Sequence, residues 1–230
     1  MPHAIVKGKI PFGQVFRPRD IDNFFVNMVG FTVNKLYRAD YLKGLDLTFP
    51  NIGAHEDMPF TCTATVAAKR ATCLESVLYH YRRNREGSRS DKTNEQYKLM
   101  LEALECLRNE LTRLDLFNDC ERNFVNYVAH MCRWKFSVLS GKQREDFFNY
   151  LNNGWLEKIG ATGFPDDYFF NDWDRKFMRS ILSKSYAELL EIENRNLAAS
   201  LDDIQASRAY RLGNVIAAPI RAISGLAAKR

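Results

Sequence analysis

Residues 97–114 read YKLMLEALECLRNELTRL, and this stretch decides the architecture of the larger part of the chain. Its apolar side chains recur every three or four residues, which places them on one face of an α-helix. They are Tyr97, Leu101, Leu104, Leu107, Leu111 and Leu114. The same period returns in residues 124–139, 147–155 and 177–192. The sequence therefore predicts a mainly α-helical domain over residues 93–206, with these stripes packed together as its core.

The first 92 residues follow a different pattern, in which short β-like pieces alternate with turns and short helices. Strands are predicted where β-branched and aromatic residues lie between prolines and glycines, at residues 3–10, 45–49 and 72–83. Short helices are predicted between them, at residues 19–27, 34–43 and 56–68. The polar stretch 83–94 predicts a domain boundary. We therefore expect an α/β domain at residues 1–92, followed by the helical domain.

The composition is that of an ordinary globular protein, since 46% of the 230 residues are hydrophobic and 27% are charged. This balance excludes disorder of the chain as a whole. No apolar run approaches the roughly 20 residues that a membrane-spanning helix needs. The five cysteines are widely spaced and fit neither a zinc site nor a disulfide framework. Reduced thiols and a cytoplasmic location are the simplest interpretation.

The net charge of +5 is concentrated at the C-terminal end, where no acidic residue follows Asp203. In residues 207–230, apolar side chains alternate with basic ones, a pattern typical of a helix that lies in a membrane interface. We expect this tail to bind an anionic surface, such as the inner face of the plasma membrane, or else to dock on the helical domain. Nucleic acid is not an expected partner, because the basic residues belong to no recognisable nucleic-acid-binding module.

Three short blocks between residues 34 and 90 resemble family 2 glycosyltransferases and stand in the order found in that family. The first is NKLYR at residues 34–38, followed by Tyr41 and Leu42. The second is HEDMPF at residues 55–60, which resembles the family's E-D-x-x-F block. The third is LYHYR at residues 78–82, followed by a loop that contains Ser88 and Ser90. Each block alone is common, but three in order favour the family.

The resemblance implies a GT-A fold, an α/β architecture of which this chain holds only the C-terminal portion. Family members begin with a nucleotide-binding region and an acidic D-x-D motif that holds a divalent metal on the donor diphosphate. Residues 1–31 contain neither. Asp20 and Asp22 have the D-x-D spacing, but they stand at a predicted helix start, where capping explains them better. We therefore expect the nucleotide-binding half to be missing, together with the main ligands of the required Mg²⁺ or Mn²⁺.

The resemblance also assigns the candidate site residues. Sugar transfer needs a base that takes the proton of the acceptor hydroxyl, and Asp57 matches the position of that base, with Glu56 beside it. Capping of the following helix by both carboxylates is the competing role. The other candidates for substrate binding are Asn34, Lys35, Arg82 and Ser88. Arg82 and Ser88 are expected to meet the departing diphosphate, and His80 is a candidate metal ligand.

The chain is thus expected to be part of a hexosyl-type transferase, active in polysaccharide biosynthesis at the cell envelope. It would move a sugar from a nucleotide-sugar donor to a hydroxyl of a glycan or lipid-linked acceptor, with inversion at the anomeric carbon. The alternative is a non-catalytic remnant or helical interaction module that docks on a partner or a membrane surface. Where the missing strands belong, an unpaired sheet edge is expected to be exposed.

Overall fold

The computed structural model describes residues 8–28, 30–77, 79–80 and 97–212. In these ranges the chain is helical and has no β-strand. Extended pairing within them is limited to two isolated bridges, Phe12 with Cys73 and Phe16 with Ala71. The expected α/β domain with a partial GT-A fold is therefore wrong, because two isolated bridges do not make the sheet that such a fold requires. The expected unpaired sheet edge is likewise not found in the described ranges.

None of the predicted strands forms among the described residues. Leu45 ends a helix, and residues 46–50 form irregular chain instead of a strand. Residues 72–77 are non-helical, but only Cys73 among them forms a bridge. Residues 3–7, 78 and 81–83 lie outside the described residues. Strand propensity mainly reports how side chains fit against neighbouring strands, and the described part of the chain supplies no such neighbours.

Among the described residues up to 80, the α-helices are α1 (Phe24–Asn27), α2 (Ala39–Leu45) and α3 (Asp57–Val66). Two predicted helices are shorter than expected. The predicted helix at 19–27 is interrupted at Asn23, whose φ of 54° is in the left-handed region. The predicted helix at 34–43 begins only at Ala39, because the preceding Arg38 is extended. The predicted helix at 56–68 is confirmed as α3.

The helices predicted at 97–114, 124–139 and 177–192 are confirmed, whereas the one predicted at 147–155 ends at Tyr150 because Asn153 and Gly154 are non-helical. The α-helices in the described part of the chain from residue 97 follow in order. They are α4 (Tyr97–Arg113), α5 (Phe117–Val138), α6 (Gly141–Tyr150), α7 (Leu156–Lys158), α8 (Asp172–Ser183) and α9 (Tyr186–Ala206). Gly154, with a φ of 106°, lies in the turn that separates α6 from α7. The α4 stripe is buried, with Leu104, Leu107 and Leu111 each 0% exposed. Helix α4 packs on both α3 and α5, so the core of this part lies between these helices.

Two asparagines of α5 hold flanking segments with buried hydrogen bonds. The backbone N–H of Phe24 donates to Oδ1 of Asn123 at 2.7 Å, which ties α1 to α5. The backbone N–H of Phe170 donates to Oδ1 of Asn126 at 2.8 Å, and Nδ2 of Asn126 donates to the carbonyl oxygen of Tyr168 at 3.0 Å. Buried backbone groups outside regular secondary structure still need hydrogen-bond partners, and these two asparagine side chains provide them.

The chain divides into two compact units, Met1–Leu182 and Ser183–Arg230. The second unit contains α9, which begins with a capping box: Oγ of Ser185 accepts from the N–H of Glu188, whose carboxylate accepts from the N–H of Ser185. The boundary expected at residue 92 and the tail from residue 213 onward lie outside the described residues. None of the helices in the described ranges is both long and apolar enough to cross a membrane.

Candidate functional site

Helix α3 presents the predicted base at its first turn. Asp57 is the first residue of α3, and Glu56 is its N-cap without a side-chain capping bond. His55 precedes them with a φ of 64°, a left-handed conformation that turns the chain sharply into the helix. Both carboxylates therefore stand at the positive end of the helix dipole. Burial, followed by the nearby charge of Glu56, raises the pKa of the Asp57 carboxyl above its ordinary value.

The first family-like block docks along one face of α3 through tyrosine hydroxyls. The hydroxyl of Tyr37 lies 3.0 Å from Oγ1 of Thr65. One turn further along the block, the hydroxyl of Tyr41 donates to the carbonyl oxygen of Ala64 at 2.6 Å. The two blocks, some 20 residues apart in sequence, are thereby brought together in the fold.

Lys35 belongs to the same block and is half-buried. Its Nζ donates to the carbonyl oxygen of Phe31 at 2.7 Å and to Oδ1 of Asn34 at 2.8 Å. Burial lowers the pKa of the Lys35 ammonium to about 8, although the charges of Cys62 and Asp57 act in the opposite direction. In turn, the charge of Lys35 lowers the pKa of Asp57 against the larger effect of burial. The two side chains therefore form one electrostatically coupled site.

A shallow cavity lies beside Lys35, between α1 and α3. Its lining includes Phe24, Met28 and Gly30 from one side and Thr61 and Cys62 of α3 from the other. Its volume is about 10 Å³, about the room that one water molecule needs. A sugar or nucleotide needs a pocket of several hundred Å³ (roughly 300 or more). The cavity therefore does not accommodate either of the expected substrates by itself.

The thiol of Cys62 closes the inner end of this site and is chemically quiet. Cys62 is buried, and burial raises the pKa of its thiol to about 12. Tyr127 of α5 is hydrogen-bonded to it and is itself buried, which raises the pKa of its phenol well above the ordinary value. Since the thiolate is the reactive form of cysteine, Cys62 and Tyr127 pack the floor of the site and do not serve as nucleophiles.

The remaining predicted site residues are not brought to this cluster within the described ranges. His80 is exposed and belongs to no helix or strand. Arg82 and Ser88 lie outside the described residues. Asp20 forms part of a short 3₁₀ turn and pairs with Arg17 at 3.6 Å. Among the described residues, no group of three His, Cys, Asp or Glu side chains comes together. The described ranges thus contain no such three-residue group, and the expectation that other polypeptide supplies the main metal ligands stays a prediction.

Threonines of α3 take part in this site, and sequence reasoning missed them. Thr61 and Thr65 are buried and stand four residues apart, so they share one face of the helix. Oγ1 of Thr61 donates to the carbonyl oxygen of Gly30 at 2.6 Å and contacts the carbonyl oxygen of Asp57 at 2.5 Å. Threonine at i and i+4 in a helix that begins with an acidic pair was the available signal, but capping and packing alone explain that pattern equally well.

A second polar cluster, also unpredicted, joins α5 to α8. Asp174 is 1% exposed and accepts from Nε of Arg133 at 2.5 Å, and Nδ1 of His130 lies 3.6 Å from its other oxygen. Burial raises the pKa of the Asp174 carboxyl, but His130 and Arg133 more than offset this, so the net pKa is lowered. Arg133 and His130 of α5 thus compensate the buried negative charge of Asp174 on α8. A buried carboxylate generally needs such partners.

Three apolar side chains near Lys35 in sequence are exposed. Phe31 is 40% exposed, Val33 47% and Leu36 99%. All three lie within four residues of Lys35 in sequence, and Phe31, Val33 and Leu36 are together called the apolar face. Apolar side chains that lie together on a surface are more characteristic of a contact region than single exposed ones.

Comparisons of the chain with protein-family models, with curated proteins and with solved structures find no match.

Proposed function

We propose that this chain supplies the acceptor side of a glycosyltransferase site, with Asp57 as the base that takes the proton of the acceptor hydroxyl. One observation carries the proposal: Tyr37 and Tyr41 dock their block on α3, and Lys35 of that block lies within electrostatic reach of Asp57. A nucleotide-sugar is the proposed donor, and a hydroxyl of a glycan or lipid-linked acceptor is the proposed acceptor. Donor binding, including any divalent cation, is assigned to polypeptide beyond the described residues.

Asp57 has the chemistry that this role requires. As the acceptor oxygen bonds to the anomeric carbon, its proton passes to the carboxylate, while the bond to the diphosphate breaks and the diphosphate leaves. A base works best when its pKa is near the working pH, and burial moves the pKa of Asp57 in that direction. Backbone hydrogen bonds from Asp57 and Met58, and then the charge of Lys35, limit this rise, which favours the ionised, proton-accepting form. Direct displacement of this kind inverts the anomeric carbon.

The acceptor pocket must be completed by a further segment. The cavity beside Lys35 has room for about one water molecule, and the apolar face next to it is exposed. A segment that covers Phe31, Val33 and Leu36 would bury this face. If the same segment also reached Asp57, it would exclude water there and strengthen electrostatic interactions with the substrate.

The proposal is tested with the chain extended at its N-terminus through the in-frame coding sequence upstream. Transfer from a set of nucleoside-diphosphate sugars, with Mn²⁺ present, is measured by release of the nucleoside diphosphate in the presence of membrane lipid extract as acceptor. Asp57→Asn should lower turnover by roughly 100-fold or more, the usual contribution of a general base. The matched control is Asp115→Asn, because Asp115 is exposed and its left-handed backbone (φ 53°) suits asparagine. Equal turnover by wild type and Asp57→Asn would overturn the proposal.

A second candidate function is favoured by the exposed apolar face itself. In this alternative the chain is a helical interaction module, and Phe31, Val33 and Leu36 contact a partner protein without any chemistry at Asp57. Leu36→Asp would then abolish partner binding, whereas Asp57→Asn would leave binding and cellular phenotype unchanged. A phenotype that depends on Asp57 would favour the enzyme over the module.

For the basic tail, we propose binding to an anionic membrane surface, where lipid-linked acceptors are found. Arg208 and Arg211 are exposed at its beginning, and the basic residues further along are Arg221, Lys229 and Arg230. Co-sedimentation with phosphatidylglycerol vesicles should be lost in high salt and in a chain that ends at Ala206. Equal sedimentation with neutral phosphatidylcholine vesicles would contradict this part.

A further inference from the structure

Thr61 lies where the loop before Lys35 crosses the first turn of α3. Its side chain is buried, and Oγ1 is 2.6 Å from the carbonyl oxygen of Gly30 and 2.5 Å from that of Asp57. A hydroxyl has one hydrogen, so these two carbonyls share one donor. The loop and the helix start are thus joined through a single side-chain atom.

The close approach at this point depends on glycine. A Cβ placed on Gly30 would stand 3.4 Å from Oγ1 of Thr61 and 3.7 Å from Sγ of Cys62. The loop backbone therefore lies directly against α3, and the hydroxyl of Thr61 is the polar group that meets it there. Without that hydroxyl, the carbonyl of Gly30 would lose a hydrogen-bond donor in a position that is largely withdrawn from water.

The same loop holds the ammonium group of Lys35. Nζ of Lys35 donates to the carbonyl oxygen of Phe31 at 2.7 Å, and Phe31 directly follows Gly30. The Gly30–Phe31 backbone is therefore one of two anchors of the ammonium, the other being Oδ1 of Asn34. The ammonium lies within electrostatic reach of Asp57. Hydrogen bonds thus connect the carbonyl of Asp57 to Thr61, Thr61 to the Gly30 carbonyl, and the adjacent Phe31 carbonyl to Lys35. The charge of Lys35 in turn acts on Asp57.

We propose that Thr61 is a positioning residue, which holds the Gly30–Phe31 backbone so that the ammonium of Lys35 stays on the carbonyl oxygen of Phe31. Thr61 itself touches no reacting atom. Its importance for sugar transfer rests on the function proposed above, whereas its effect on the position of Lys35 does not.

The test is an NMR titration of the Lys35 side chain in the full chain, assigned with a Lys35→Arg variant. Thr61→Val preserves shape and removes the hydroxyl. If Lys35 is released to solvent, its pKa should rise from about 8 towards 10.5, by about one unit or more. Thr61→Ser retains the hydroxyl and should leave the pKa of Lys35 at the wild-type value.

Thr63→Val is the matched control on the same helix. Thr63 is also fully buried, but its Oγ1 has no hydrogen-bond partner among the described residues. The same isosteric change there should leave the pKa of Lys35 where it is in wild type. Should Thr61→Val fail to fold, Thr61→Cys replaces it, because a thiol is a much weaker donor than a hydroxyl.

Two results would overturn the proposal. One is a pKa of Lys35 that is the same in Thr61→Val, Thr63→Val and wild type. The other is a rise in Thr61→Ser as large as that in Thr61→Val, since the hydroxyl would then not be responsible. Neither result depends on turnover. Absence of sugar transfer together with the expected Lys35 titrations would overturn the proposed function alone.

Discussion

Replacing Asn123 with alanine tests how the N-terminal segment is held on the helical core. Asn123 is 9% exposed, and its Oδ1 accepts from the backbone N–H of Phe24, a residue that is 1% exposed. This bond spans 99 positions of sequence and fixes α1 against α5. Helix α1 in turn supplies one wall of the candidate site. Asn123→Ala removes the acceptor and leaves the buried N–H without it.

The cost follows from the state of that N–H group. A buried N–H group that has no acceptor has given up its hydrogen bond to water and gains none in return. This costs about 1–3 kcal/mol of folding free energy. Water does not easily replace the acceptor, because Phe24 is almost completely enclosed. For a domain of this size, each kcal/mol lowers Tm by about 2–4 °C. We therefore expect Asn123→Ala to lower the unfolding free energy by about 1–3 kcal/mol.

The assay is urea denaturation followed by far-ultraviolet circular dichroism, with thermal unfolding as a second measurement. Asn118→Ala is the matched control, because Asn118 is an exposed asparagine of the same helix. It should change the unfolding free energy by less than about 0.5 kcal/mol. Equal effects of the two substitutions would refute the reasoning that this hydrogen bond anchors α1.

Three further predictions concern the core, an ion cluster and the candidate site. Leu104→Ala should lower the unfolding free energy, measured by urea denaturation, by about 2–5 kcal/mol, because Leu104 is fully buried. Leu197 is exposed, so Leu197→Ala should lower it by less than about 0.5 kcal/mol. Equal losses would contradict the assigned core. The pKa of Asp174 is lower in the folded than in the unfolded chain. The ionised carboxylate therefore stabilises the fold at pH values above the unfolded-state pKa, and this stabilisation is lost as the pH falls through the folded-state pKa. The difference in unfolding free energy between wild type and Asp174→Asn should therefore shrink below about pH 4, and a pH-independent difference would count against the cluster. Since the pKa of Lys35 is lowered to about 8, wild type should gain stability relative to Lys35→Met as pH rises from 8 to 10.5; parallel pH profiles would contradict its burial.

The helical part of the fold was readable from sequence because its information is local. In α4, the apolar period alone placed Leu104, Leu107 and Leu111 on one face, and all three are fully buried. The start of α3 was equally local, since an acidic pair precedes an apolar run there. Such patterns need no knowledge of distant partners.

The predicted sheet failed because strands depend on partners that a sequence window does not contain. Residues 45–49 and 72–77 have strand-like composition, yet in the described ranges they find no continuous ladder. β-Propensity expresses fit to a pleated, paired surface and has little effect on isolated segments. The resemblance to an α/β family added to the error by implying a sheet for which these residues do not supply the strands.

For the candidate site, sequence located some residues but not the contacts between them. Lys35 and Asp57 were both candidates, but their proximity depends on Tyr37 and Tyr41 docking on α3, which no local pattern encodes. Thr61 was missed for a similar reason. Its partner Gly30 is 31 positions away, and a buried threonine in a helix is usually explained by packing.

The measurement that tests the central claim most directly is a carboxyl ¹³C NMR titration of Asp57 in wild type and in Lys35→Met. If the two residues share one site, loss of the ammonium charge removes one of the effects that lower the pKa of Asp57. The backbone hydrogen bonds at the start of α3 still lower this pKa, and burial and Glu56 still raise it. The pKa of Asp57 should then be higher in Lys35→Met than in wild type. An identical pKa in both proteins would show that Lys35 and Asp57 do not act on one another, and would contradict the acceptor-side site.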